Sequence, residues 1–125
     1  MVNVILILSL VYLVQLILPS ILKRQSTEAV VTRAAKALHN LRESLPVFFT
    51  LAILSLMLLG NSIDAEANVN LALIWLALRI FYTCIYVSGV GIKPVDSFGY
   101  EAQPVRGLCW LGSIFCLIFM GLNLI

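Results

Sequence analysis

Charge is what this sequence has least of. Eight Lys or Arg and six Asp or Glu are spread over 125 residues, so 11% of the chain is charged while 62% is hydrophobic. A soluble domain carries about 25% charged residues, because a small globule has too little interior to hide so much apolar surface. A soluble monomer and a disordered chain are thereby excluded. A net charge of +2 is too small for a protein that tracks phosphates, so no nucleic-acid partner is expected. Histidine is nearly absent as well. His39 stands alone, no multi-histidine site can form, and no metal is expected. Cys84, Cys109 and Cys116 are odd in number and sit in apolar runs, so they read as small packing residues rather than a disulfide framework. Asp64 and Asp96 come with no nucleophile-elbow motif, which leaves a Ser-His-Asp hydrolase without support.

What is present is four long apolar runs. Residues 2–22 contain no charge and, at 1.5 Å per residue, are long enough for a bilayer core of about 30 Å. No basic leader precedes this run and no small-x-small site follows it, so it is expected to remain as a span. The other spans are placed at 34–60, 68–90 and 104–124, with the helical pattern of the second starting near Glu28. Pro46 inside the second run is compatible with a membrane helix. The fold class is all-α: one domain, an up-and-down four-helix bundle integral to the membrane. The stretch from Gly91 to Gln103 reads as a loop.

The few charges orient the bundle. Lys23, Arg24, Arg33 and Lys36 cluster between the first two spans, whereas the second connection carries Asp64 and Glu66 and no base. The positive-inside rule puts the first connection, and the third with Lys93 and Arg106, on the cytoplasmic side. Both termini are then non-cytoplasmic. The lack of a targeting extension suits a bacterial inner membrane.

Polar residues at membrane depth carry the functional signal. Arg33, Lys36, Asn40 and Glu43 are spaced by three, four and three, which gathers them in an arc of roughly 80° on one helix face. Arg33 and Lys36 suit an amphipathic entry meeting lipid headgroups. Glu43 lies deeper and wants a partner or a ligand. In the third span Arg79 falls near mid-depth, where a lipid-facing charge costs at least about 2.5 kcal/mol. Tyr82 and Tyr86 follow on the same face, within about 60°. Two readings stand side by side: an Arg79–Glu43 ion pair, or a groove binding an anionic or zwitterionic ligand. Bases and phenols would hold carboxylates there, Glu43 an ammonium, and Asn40 backbone amides. A proton-coupled multidrug transporter of similar size would need an acid in the first span, which offers only Asn3, Ser9, Tyr12 and Gln15.

The run Arg33-Ala-Ala-Lys36-Ala-Leu-His-Asn40-Leu-Arg-Glu43-Ser-Leu-Pro46 resembles the second-helix signature of the MAPEG family, the membrane-associated proteins in eicosanoid and glutathione metabolism. Arg79-x-x-Tyr82-x-x-x-Tyr86 is similar to that family's third-helix motif, and Pro104-Val-Arg106 to the start of its fourth helix. The resemblance implies a homotrimer with glutathione as co-substrate, bound between subunits near the cytoplasmic face. Lys36, Asn40 and Glu43 would contact glutathione from the second helix, and Arg79, Tyr82 and Tyr86 from the third. Arg106 would be the catalytic arginine that stabilises the glutathione thiolate, since a nearby cation lowers a thiol's pKa. The implied activity is that of a membrane transferase or peroxidase acting on hydrophobic small molecules from the lipid. Three features depart from the pattern. Lys36 replaces an arginine common in the family, Gly107 a hydroxyl residue, and the loop before Arg106 is long enough to make Lys93 a rival for the thiol. A non-catalytic member that binds a lipid or a partner protein is the alternative these departures leave open.

Overall fold

A backbone inside lipid has no water to bond, so an apolar run of spanning length closes its own hydrogen bonds as a helix. The computed structural model describes residues 1–25, 27–91 and 103–125, and four helices account for nearly all of them. They are α1 (Val2–Gln25), α2 (Glu28–Leu58), α3 (Ile63–Ser88) and α4 (Pro104–Leu122). Among the described residues there is no strand, and all four helices are long and apolar enough to cross a membrane.

Helix ends follow local chemistry. α1 runs past its apolar stretch, taking Lys23 and Arg24 into its last turn, where cations favour the helix dipole. α2 starts at Glu28, as its periodicity predicts. α3 starts earlier than its apolar run, because Ser62 caps it: the Ser62 hydroxyl accepts from Ala65 N at 3.2 Å. Asp64 and Glu66, read from the sequence as part of the second connection, instead form the acidic first turn of α3. Gly89 ends α3 with φ 73°, a left-handed conformation that glycine adopts without strain. Pro104 opens α4, where its missing N–H costs nothing.

Side-chain bonds between helices show the chain running up and down. Arg33, early in α2, reaches Val87 O, late in α3, while Ser55, late in α2, meets Asn68, early in α3. Gln103, at the start of α4, bonds Ile85 O, and Asn123, just past its end, bonds Asn68. The bundle is not square. α2 and α3 form a central pair, α1 leans on one side of it and α4 on the other, and α1 and α4 do not meet. The core lies along the central pair, where Phe48 stacks on Trp75 with ring centroids 4.2 Å apart. Ala37, Ala52 and Ala72 are wholly buried and let the helices approach closely. The outer surface is greasy: Leu10, Val14, Met57 and Phe81 are each more than 60% exposed, as suits a lipid-facing surface.

Candidate functional site

The third-span stripe is assembled as the spacing predicts. Arg79 is 2% exposed and lies about two thirds of the way along α3. Its guanidinium sits 4.9 Å from the Tyr82 ring centroid, and Tyr82 stacks with Tyr86 at 5.9 Å. Arg106, entering from α4, places its guanidinium 4.2 Å from the centroid of the Tyr86 ring. Two cations thus bracket two phenols, an attractive arrangement because each ring presents negative π density to its guanidinium.

The second-helix stripe divides. Asn40 turns inward, and its side-chain oxygen accepts from Arg79 Nη2 at 2.5 Å. Arg33 is spent on the last turn of α3, with Nε and Nη2 both 3.4 Å from Val87 O. Lys36 and Glu43 are exposed. The Arg79–Glu43 ion pair, one of the two readings of the sequence, does not form: Glu43 pairs with His39 at 3.1 Å instead. Helix phase explains this. Lys36 and Glu43 lie about 120–140° around α2 from the face made by Ala37, Leu41 and Phe48, whereas Asn40 is only about 80° away. Asn40 therefore reaches α3 and Glu43 cannot. Among the described residues no carboxylate pairs with Arg79, and its Nε has no partner.

Two adjoining cavities open between α2 and α4. The polar one, about 210 Å³, is lined by Asn40, Tyr82, Gln103, Arg106, Gly107 and Trp110. The apolar one, about 370 Å³, is walled chiefly by Val47, Ile114, Leu117 and Ile118, with Glu43 and Ser44 at its edge. Both share Asn40 and Trp110, so a polar compartment leads into a greasy slot. Arg79 and Tyr86 line neither; they lie behind the wall and support Asn40, Tyr82 and Arg106. Lys36 lines neither as well, and Lys93 lies outside the described residues.

Gln103 and Trp110 belong to this wall and were not singled out by the sequence pattern. Gln103 is 4% exposed, and its Nε2 donates to Ile85 O and Val90 O, both at 3.0 Å. Its Oε1 is buried without a partner among the described residues. The one available signal was position: a glutamine immediately before a helix-opening proline takes the cap, beside Arg106 one turn on. Gly107 has open space where a side chain would start, with nothing within 4 Å of a Cβ.

Neither the curated proteins nor the solved structures gave a match to the chain. A family model does: that of the MAPEG family matches residues 2–125, essentially the whole length. Four apolar helices and this match identify an integral, multi-pass membrane protein that belongs to the MAPEG family, whose members serve eicosanoid and glutathione metabolism.

Proposed function

We propose that the protein is a glutathione-dependent membrane transferase or peroxidase acting on hydrophobic electrophiles. The observation that carries this reading is the joined pair of cavities: a polar compartment with Arg106 in its wall continues into an apolar slot of about 370 Å³. A polar thiol and a greasy acceptor need that juxtaposition. Arg106, steadied on the Tyr86 ring, would stabilise the thiolate. Asn40 and Gln103 can receive amide N–H groups, and Tyr82 can meet a carboxylate. In a transferase cycle the thiolate sulfur forms a bond to the electrophilic carbon as the leaving group departs with its electron pair.

Lys36 and Glu43 support a homotrimer. Both are polar, exposed and turned away from the protomer's own core, as residues completing a site with a neighbouring copy would be. The positive-inside rule supports a basic end, with Lys23, Arg24 and Arg33, that faces the cytoplasm, and we take the membrane to be a bacterial inner membrane with both termini on its opposite side. The second reading, a non-catalytic lipid- or partner-binding protein of the same fold, draws on Gly107, which puts no hydroxyl beside Arg106.

Conjugation of a chlorinated aromatic compound by the purified protein tests the proposal, together with glutathione binding by calorimetry in nanodiscs. Saturable binding, and turnover lost in Arg106→Ala, is the expected result. Absence of glutathione binding would leave the non-catalytic reading.

A further inference from the structure

On another side of the bundle, between α1 and α3, lies a second cleft of about 370 Å³. That size falls within the range of small-molecule sites, about 300–1,000 Å³. Leu10, Val14, Leu18 and Ile80 form apolar walls, and exposed Cys84 stands at the rim. It is separate from the site between α2 and α4, because Ile80, Thr83 and Cys84 centre about 120° around α3 from the Arg79–Tyr82–Tyr86 stripe.

One feature of this cleft does not fit a surface meant only for lipid tails. Gln15 lines it, yet is 5% exposed and turned in from α1 towards α3. Its Nε2 donates to Thr83 Oγ1 at 3.1 Å, while its Oε1 is buried with no partner among the described residues. The contrast with Ser9 on the same helix is instructive: that hydroxyl is satisfied by its own backbone, donating to Ile5 O at 2.8 Å. Gln15 has no such local exit. Turning its amide over would let Thr83 donate to Oε1 and would strand Nε2 instead. In either orientation one end of a buried amide lacks a bond, inside an otherwise apolar cleft.

A ligand complementing this site needs a long apolar body and one small group that can serve either end of an amide. A hydroxyl does so, donating to Oε1 or accepting from Nε2. Among the described residues no acid or base lines the cleft, so a charged headgroup finds no partner there. We propose that the α1–α3 cleft binds a long-chain molecule bearing one hydroxyl, with its chain along Leu10, Val14 and Ile80 and its hydroxyl on Gln15. This site is independent of the thiol chemistry between α2 and α4.

Dodecanol and dodecane differ only in that hydroxyl and make the test. Gln15, Gln25 and Gln103 are the three glutamines, so selective ¹⁵N-glutamine labelling reduces the side-chain amide spectrum to a few resolvable signals. These are assigned with Gln15→Leu and, by elimination, with Gln25→Glu and Gln103→Glu, in micelles of a hydroxyl-free detergent. Dodecanol is expected to shift the Gln15 amide signal saturably, leave Gln103 unmoved, and bind about tenfold more tightly than dodecane. Equal binding of the two, movement of Gln103 in place of Gln15, or an unshifted Gln15 signal (water alone completing the amide) would each overturn the proposal. The wild-type comparison stands even if Gln15→Leu does not fold.

Discussion

Arg79 on α3 and Asn40 on α2 meet inside the bundle, the guanidinium donating to the amide oxygen at 2.5 Å. A buried cation here is held by a neutral partner and a phenol ring rather than by a carboxylate. Removing the acceptor alone is therefore worse than removing both polar groups together. Asn40→Ala leaves the cation without its oxygen and is expected to cost about 2–3 kcal/mol. Arg79→Met combined with Asn40→Leu keeps volume and removes both polar groups, and should cost much less. Reversible unfolding in mixed micelles measures both; an equal loss in the two would mean that packing, not the charge, sets the cost.

The ring beneath Arg106 gives a way to test its role against that of Lys93. Because the Arg106 guanidinium lies 4.2 Å from the Tyr86 centroid, Tyr86→Phe keeps the support and Tyr86→Leu removes it. A partly desolvated cation–π contact is worth about 1–2 kcal/mol, so the thiolate fraction should fall about tenfold in Tyr86→Leu and stay near wild type in Tyr86→Phe. Arg106→Ala should abolish thiolate absorbance and Lys93→Ala should not. The opposite outcome for those two variants would assign the thiol to Lys93.

Gly107 offers a gain rather than a loss. It lines the polar compartment, and no atom stands within 4 Å of the point a Cβ would occupy. Gly107→Ser should therefore fold normally and bring a hydroxyl donor next to Arg106, and also relieve the helix of a flexible glycine. Raised thiolate absorbance with an unchanged melting profile is the expected outcome. A hydroxyl that leaves thiolate formation unaltered would show that the thiol sits beyond its reach.

The sequence exposed those features that follow from periodicity and missed those that follow from depth around a helix. Four apolar runs and the Arg79, Tyr82, Tyr86 face needed only counting, and the structure keeps them. Glu43 was legible as a member of a polar face, but not which edge of that face meets α3; about 60° separates it from Asn40, and that decides the partner. Gln103 was invisible for another reason. Its importance comes from two carbonyls, at Ile85 and Val90, well upstream in sequence, which no local pattern near Pro104 contains. Asp64 and Glu66 look like loop residues by hydropathy, yet a Ser62 cap and the dipole of α3 draw them into the helix.

Asn68 supplies a control that separates stability from catalysis. It is fully buried at the end of the bundle away from Arg106, donating to Ser55 Oγ at 2.7 Å and to Met120 O at 3.3 Å while accepting from Asn123 at 2.8 Å. Three elements, α2, α3 and the end of α4, are tied by one side chain. Interhelical hydrogen bonds in membrane proteins are worth about 0.6 kcal/mol on average, so Asn68→Leu should lose about 2 kcal/mol and Asn123→Ala under about 1 kcal/mol. Neither substitution touches the cleft between α2 and α4, so glutathione affinity and thiolate absorbance measured below the unfolding transition should remain at wild-type values. Thiolate loss in Asn68→Leu without unfolding would instead mean that the two ends of α3 and α4 move together, and that the polar tie at one end holds Arg106 in register at the other.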